Sequence, residues 1–130
     1  MTGPSFDEIA RRHGARLLLQ YGSTVSGRTH AASDVDVAVL FEGEASFDRL
    51  GGLVADLEAA FPGRDVDLGV LNRADPLFLK KVLEGARLLA GSARDLASLR
   101  LYAFRRYQDH RRFLRLEERH VERFLAERAR

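Results

Sequence analysis

The sequence predicts an α/β domain of the α+β kind, with a small mixed sheet, helices packed on one side of it, and a long basic helix at the C-terminus. The chain has 130 residues, enough for one compact domain, and 45% of them are hydrophobic, enough for a core. Short apolar runs alternate with helical spacing as far as residue 91, and neither glycine nor proline follows. We therefore expect a single domain over 1–130, with the sheet and its helices in 1–91 and a helical extension in 92–130.

The first elements are predicted from local signals around short apolar segments. Ser5 and Glu8 have the spacing of a capping box, and Gly14 can end the helix that begins there. The apolar run from Arg16 to Tyr21 lies between glycines, which indicates a buried strand, although a turn of helix has the same length. Residues 24–32 are small and polar, so they fit a loop or a single helical turn.

The segment from Asp34 to Phe41 alternates as a strand does when its two faces meet different surroundings. One face carries Val35, Val37, Val39 and Phe41, and the other carries Asp34, Asp36, Ala38 and Leu40. This alternation is the most informative pattern in the sequence.

The remaining elements follow from capping residues, helical spacing and turn residues. They are a helix from Ser46 to about Phe61, a strand over 66–71, a turn over 72–76, a helix from Leu77 to Glu84, a strand over 86–89, and one long helix or two abutting helices over 93–129. Gly91-Ser92 separates the last two, and we interpret it as a helix stop followed by an N-cap.

The composition excludes several kinds of site. Because the chain has no cysteine, disulfides, zinc–thiolate centres and cysteine nucleophiles are excluded, and any metal must be held by oxygen or imidazole. No stretch approaches the ~20 apolar residues of a membrane helix, and the first residues lack the pattern of a signal peptide, so we expect a cytoplasmic protein. The net charge of +2 divides into +5 for residues 94–130 and −3 before them.

Two aspartates on one face of an apolar strand need an explanation, because aspartate is disfavoured in strands and costly to bury. Asp34 and Asp36 point the same way, and their repulsion raises a pKa unless a cation lies between them. Oxygen ligands suit Mg²⁺, which shares its coordination with substrate phosphates. The third strand adds Asp67 on the same face as Gly69 and Leu71. Three carboxylates are thus available for a metal.

Gly22-Ser23 directly follows the first strand and has the chemistry of a phosphate cradle. The missing side chain lets a phosphate approach backbone amides, and the serine hydroxyl adds a donor. A Walker loop is excluded, because its Gly-x-x-x-x-Gly-Lys-Ser/Thr pattern is missing and neither Lys80 nor Lys81 lies near in sequence. Gly91-Ser92 repeats the dipeptide without an Asp-x-Asp after it, so the dipeptide alone means little.

These motifs together resemble the active-site signature of the nucleotidyltransferases of the DNA polymerase β superfamily. The signature is Gly22-Ser23, ten residues, Asp34-Val35-Asp36 and a later lone strand aspartate, Asp67. The chain also resembles the minimal nucleotidyltransferases, including the MntA-type antitoxins paired with HEPN-domain toxins. The residues that carry this likeness are Tyr21-Gly22-Ser23, Ser33 to Val39, Val66-Asp67-Leu68, Leu71-Asn72 and Pro76. The resemblance covers roughly residues 17–91 and implies the nucleotidyltransferase fold.

The resemblance implies a reaction and a role for each residue. Asp34 and Asp36 would bind two Mg²⁺ ions. Asp67 would bind one of them and orient or deprotonate an acceptor hydroxyl. Gly22 and Ser23 would hold the triphosphate of ATP. The hydroxyl attacks the α-phosphate in line and pyrophosphate leaves, while the two metals stabilise the attacking and leaving oxygens. In the MntA-type relatives the acceptor is a tyrosine of the toxin, which receives AMP.

Two positions are open at this point. Many relatives carry arginine between the serine and the next glycine, whereas here Arg28 follows that glycine. Arg28 is the candidate to replace the missing phosphate contact. Asp65 shares its face with Asp67, so either can be the third ligand. We favour Asp67, because apolar strand residues bracket it and the family pattern falls there.

The basic C-terminal segment, residues 94–130, has a purely structural and a functional interpretation. Two of its arginine–histidine pairs, Arg105 with His110 and Arg115 with His120, have the Arg-x4-His spacing of HEPN ribonucleases. A segment so rich in arginine gives that spacing by chance, and it is too short for the helical bundle. Most of its charge is typical of a solvated helix face. The functional interpretation is docking of an acidic partner, with RNA less favoured and direct nucleic-acid binding not expected.

The sequence therefore predicts a minimal nucleotidyltransferase that acts as an antitoxin, transferring AMP from ATP with Mg²⁺ to a tyrosine of a partner HEPN toxin in a hetero-oligomer. The alternative is a catalytically idle domain of the same fold that neutralises its partner by binding alone. A small-molecule acceptor such as an aminoglycoside is less favoured, because nothing beyond the basic helix is left to build its pocket.

Overall fold

The computed structural model describes residues 3–22 and 34–128. In chain order, the elements of these residues are α1 (Phe6–His13), β1 (Ala15–Tyr21), β2 (Val35–Phe41), α2 (Phe47–Ala60), β3 (Val66–Val70), α3 (Pro76–Leu83), β4 (Arg87–Ala90) and α4 (Ala93–Arg128). Their bounds agree with the predicted ones to within a residue or two. The C-terminal segment is one helix of 36 residues rather than two abutting helices.

The helices begin at the capping residues that the sequence indicates. The Ser5 hydroxyl accepts a hydrogen bond from the Glu8 amide at 3.2 Å, and Ser92 accepts one from Asp95 at 3.0 Å. The interpretation of Gly91 as a helix stop is wrong, because the residues before it form β4. Its α-carbon faces β1, where a Cβ would lie 2.5 Å from the Arg16 carbonyl oxygen.

The four strands form one mixed sheet in the order β3-β2-β1-β4. Strand β1 pairs antiparallel with both β2 and β4, whereas β2 and β3 are parallel. The end of β1 therefore lies at the same edge of the sheet as the beginnings of β2 and β3. This edge brings together residues that are far apart in sequence.

Helices cover both faces of the sheet. The face with the valines of β2 packs against α1 and α2, through Ile9, Leu53 and Leu57. The face with Ala38 packs against α3 and α4, through Leu79, Val82, Leu96 and Ala103. The α/β class, the mixed sheet and the long C-terminal helix are confirmed. The expected packing on one side is wrong, because β2 is apolar on both faces beyond Asp36 and each apolar face needs a cover.

Arg49 of α2 fastens the elements at the far end of β2. Its guanidinium lies 4.6 Å from the centroid of the Phe41 ring. It also donates hydrogen bonds of 2.6–3.2 Å to the backbone carbonyls of His13, Gly14, Glu42 and Glu44. One side chain thus satisfies carbonyls from the end of α1 and from the loop after β2.

Asn72 extends the pairing of β2 with β3 beyond the last strand residue. Its side-chain amide accepts from the Phe41 amide at 2.9 Å and donates to the Phe41 carbonyl at 3.0 Å. The Leu71 amide donates to the Val39 carbonyl at 2.8 Å. These bonds hold β3 in register along β2, and that register positions the aspartates at the opposite end.

The distal part of α4 leaves the body of the domain. The buried residues of this helix are Leu96 and Ala103. Residues 104–128 continue for about 37 Å at the usual helical rise. Their exposed large apolar side chains are Phe104, Phe113, Leu114, Leu116, Val121, Phe124 and Leu125. None of the helices in the described part of the chain has the length and apolar character to span a membrane.

Candidate active site

A row of three polar side chains crosses the sheet at the edge where β1 ends. Tyr21 is the register partner of Asp36 between β1 and β2, and Asp36 is the register partner of Asp67 between β2 and β3. Partners in adjacent strands point to the same face. The pairing therefore brings Asp36 and Asp67 together from 31 positions apart in the sequence.

Gly22 lies against this row and leaves space for it. Its φ is +78°, a conformation that favours glycine. A Cβ at this position would clash with Oδ2 of Asp36 and lie 3.3 Å from its Cγ. The missing side chain is thus what allows the backbone after β1 to approach the Asp36 carboxylate.

The electrostatic environment of Asp36 has the character of a crowded acidic site. Asp36 is half-buried, whereas Asp34 and Asp67 are exposed. Burial raises the pKa of the Asp36 carboxyl above its ordinary value of 3.8, Asp67 raises it further, Lys81 lowers it and Asp34 raises it. The charges of the other two predicted carboxylates thus both act on Asp36.

The floor beside the aspartates is aromatic. The Tyr21 and Phe78 rings meet edge to face with centroids 6.2 Å apart. A Cβ on Gly69 would lie 2.7 Å from Cζ of Phe78 and 3.3 Å from the Tyr21 hydroxyl oxygen. Burial raises the pKa of the Tyr21 hydroxyl, and Asp36 and Asp67 raise it further. Gly69 lets both rings lie close to the strand that carries Asp67.

The predicted site residues divide into two groups. Gly22, Asp34, Asp36 and Asp67 lie in the described part of the chain, at the same edge of the sheet. Ser23 and Arg28 lie outside the described residues, so their predicted phosphate contacts stay predictions.

The two candidates for the third carboxylate have different surroundings. Asp67 lies within β3 as the register neighbour of Asp36. Asp65 precedes the strand, and its backbone carbonyl accepts a hydrogen bond from the Val35 amide at 2.9 Å. This pairing favours Asp67, because it is the carboxylate that faces Asp36 across the ladder.

The donor set fits magnesium in its chemistry. Within the described residues, no three histidine or acidic side chains lie close enough together to enclose a metal ion. Burial raises the pKa of the Asp36 carboxyl most, and the neighbouring Asp67 charge raises it further, so the two carboxylates nevertheless repel each other. A divalent cation between oxygen ligands removes such repulsion. The assignment of Asp34, Asp36 and Asp67 as metal ligands stays a prediction.

Sequence reasoning missed the contribution of α3 to this region. Phe78 forms part of the floor and Lys81 acts on Asp36, although both follow Asp36 by more than 40 positions. A usable signal was present: α3 directly follows the strand of Asp67, and a short turn sends a helix back along the strand before it.

The fold and this edge define a nucleotidyltransferase of the polymerase β type. The family model described as "Polymerase beta, Nucleotidyltransferase" matches residues 7–95, and the chain belongs to this family. No curated protein sequence matches the chain.

Solved structures of toxin–antitoxin pairs have the same fold. One is an MntA–HepT complex in which two aspartates, two positions apart, are changed to glutamate; its TM-score is 0.69 at 22% identity, over 91% of this chain and 93% of that chain. A toxin–antitoxin structure with AMP-PNP has a TM-score of 0.68 at the same identity and coverage. A complex of tri-AMPylated Shewanella oneidensis HEPN toxin with MNT antitoxin has a TM-score of 0.63 at 22% identity, over 91% and 90%.

Proposed function

We propose that this chain is an antitoxin that transfers AMP from ATP to a tyrosine hydroxyl of a partner HEPN toxin. The observation that carries the proposal is the adjacency of Asp36 and Asp67 across the β2–β3 ladder, beside the backbone of Gly22. Membership of the nucleotidyltransferase family supports the type of reaction. The structural neighbours with AMP-PNP and with a tri-AMPylated HEPN toxin support the donor and the acceptor.

In the proposed reaction, the tyrosine oxygen forms a bond with the α-phosphorus and the bond from that phosphorus to the bridging oxygen breaks. Asp67 accepts the proton of the hydroxyl, and pyrophosphate leaves. Gly22, together with Ser23 and Arg28, holds the triphosphate. ATP and Mg²⁺ are both plentiful in the cytoplasm, where we place the reaction.

We assign Asp34, Asp36 and Asp67 as the ligands of two Mg²⁺ ions. Bound there, the ions would neutralise phosphate charge and stabilise the attacking and leaving oxygens. The protein's own part is to hold the carboxylates on one rigid edge of the sheet, with Asn72 and Arg49 fixing the strands at the other end.

The test is transfer of label from ATP labelled at the α-phosphate to the HEPN partner in the presence of Mg²⁺. We expect labelling by the wild-type chain and its loss in Asp34→Ala and Asp36→Ala. Asp48→Ala, an exposed aspartate in the first turn of α2, is the matched control and should label normally. Neutralisation of the toxin that survives both active-site changes would overturn the enzymatic account.

Binding alone is the second candidate, and the distal part of α4 favours it. Its exposed apolar side chains and its basic charge are features of a surface that meets a partner. Exchanging Leu114 and Val121 for serine leaves the body untouched, because neither residue belongs to its core. If binding neutralises the toxin, this variant loses protection while Asp36→Ala keeps it.

A further inference from the structure

The chain has two lysines, and they are adjacent in α3. The Lys80 ammonium pairs with Glu84 and lies 5.1 Å from the centroid of the Tyr107 ring of α4. The Lys81 ammonium makes no hydrogen bond or ion pair with any residue that the structure describes. One lysine is thus committed to contacts within the fold, and the other is not.

Helix geometry directs Lys81 toward the aspartates. Phe78 and Lys81 are three residues apart, so they lie on the same flank of α3. Phe78 touches Gly69 and Tyr21. Lys81 lies one turn further along α3, about 4.5 Å by helical rise. Its long side chain spans the remaining distance of about 2 Å to the level of the strand residue two before Gly69, which is about 6.6 Å away along β3.

That strand residue is Asp67, the register neighbour of Asp36. Lys80 projects from the opposite flank toward α4, as its contact with Tyr107 requires. Lys81 is therefore exposed at the mouth of the candidate site, whereas Lys80 faces away from it.

The charge at this edge makes a cation there informative. Asp34, Asp36 and Asp67 all carry negative charge, and a nucleoside triphosphate brings about four more. Among the described residues, the one cation that acts on Asp36 is Lys81. An ammonium on a flexible stem is a point charge that binds phosphate oxygens well.

We propose that Lys81 binds the triphosphate of the nucleotide that occupies the site beside Asp36 and Asp67. This rests on the proposed function, because it requires a nucleotide at that edge. The ammonium contributes a charge-assisted hydrogen bond to phosphate beyond the α position, so it distinguishes triphosphate from monophosphate. Lys81 is then a second cationic element of the site, supplied by α3 rather than by the glycine–serine loop.

The experiment measures the affinity of the full chain for AMP-PNP and for AMP in the presence of Mg²⁺, by titration calorimetry. Lys81→Met should weaken AMP-PNP binding about 10-fold, the loss of one charge-assisted hydrogen bond, and leave AMP binding nearly unchanged. Lys81→Arg should recover most of the affinity. Lys80→Met is the matched control, since it removes the same charge one position away, and it should bind AMP-PNP like the wild type.

The outcomes separate this inference from the proposed function. Wild-type affinity in Lys81→Met, equal losses for AMP-PNP and AMP, or the same loss in Lys80→Met would each overturn the role of Lys81 while leaving nucleotide binding intact. A wild-type chain that binds no AMP-PNP overturns both proposals. Thermal unfolding of Lys81→Met should match the wild type, because the side chain is exposed and has no hydrogen bond or ion pair to lose among the described residues.

Discussion

On one face of β2, Val35, Val37 and Val39 are fully buried under α1 and α2. On the other face of the same strand, Asp36 stands half-buried beside Asp67, and only beyond it does the strand return to apolar packing. The first face is closed by hydrophobic burial, and the second interrupts its core to hold charge. The comparison teaches that the destabilising contacts of this fold, those between like charges, lie at one edge of the sheet, whereas the stabilising hydrophobic contacts lie elsewhere.

The largest expected effect comes from a change on the face of β2 and β3 that carries Asp36 and Asp67. Asp67→Asn should lower AMP transfer about 1000-fold, because it removes both the proposed metal ligand and the proposed proton acceptor. Its thermal stability should not fall, since the change removes repulsion with Asp36. The measurement is label transfer to the HEPN partner, with a melting curve for each variant.

Asp65→Asn is the matched control for this prediction. Asp65 lies just before β3 and is not the register neighbour of Asp36, so most activity should remain. The opposite result, with Asp65 essential and Asp67 dispensable, would reassign the third carboxylate.

The closed face should behave in the opposite way. Leu53 of α2 is fully buried against the valines of β2, and Leu53→Ala should cost about 3 kcal/mol of unfolding free energy. Transfer activity measured well below the melting temperature should change little, because Leu53 packs on the opposite face of β2 from Asp36. Urea unfolding measures the loss. Phe47→Ala, in the same helix at 89% exposure, should be nearly neutral; equal losses in both would contradict the comparison.

The sequence predicted this division because residues 34–41 alternate with a period of two, with valine or phenylalanine at the odd positions and Asp34, Asp36, Ala38 and Leu40 at the even ones. Capping residues predicted the starts of α1, α2 and α4 for the same local reason. The pairing of β2 with β3 could not be predicted from the sequence, because it depends on Asn72 and on backbone hydrogen bonds between residues distant in the chain. The placement of Lys81 was missed for a similar reason, since neither its distance from the motifs nor its residue type shows which flank of α3 it occupies.

Two glycines with the same backbone conformation can sharpen the comparison. Gly22 and Gly43 have φ values of +78° and +77°, so alanine at either should cost about 1 kcal/mol of stability. A Cβ at Gly22 meets the Asp36 carboxylate, whereas a Cβ at Gly43 has no atom within 4 Å. Gly22→Ala should therefore also lower transfer activity, and Gly43→Ala should not. Equal activities in the two variants would mean that the close approach of Gly22 to Asp36 has no role.

The smallest expected effect is on the pH dependence of stability without metal. The pKa of Asp36 is raised in the folded chain above its ordinary value of 3.8, so folding favours its protonated form. The ionised form then destabilises the fold, and stability falls as the pH rises through the folded-state pKa. Asp36→Asn removes this destabilisation. In EDTA, the melting temperature of Asp36→Asn should therefore rise relative to that of the wild type as the pH increases from about 4 to 7. The corresponding gain in unfolding free energy should stay below about 1 kcal/mol, because solvent screens a half-exposed group.

Magnesium should reverse the order of the two proteins in that experiment. In the proposed site, Mg²⁺ added at neutral pH would lie between Asp36 and Asp67 and turn their repulsion into attraction to the ion. The wild type should then gain in melting temperature more than Asp36→Asn does. Asp48→Asn, on the opposite side of the sheet, should follow the wild type throughout. If Mg²⁺ stabilised wild type and Asp36→Asn equally, the ion would be binding somewhere other than this edge. The adjacency of Asp36 and Asp67 would then need an explanation that does not involve a metal.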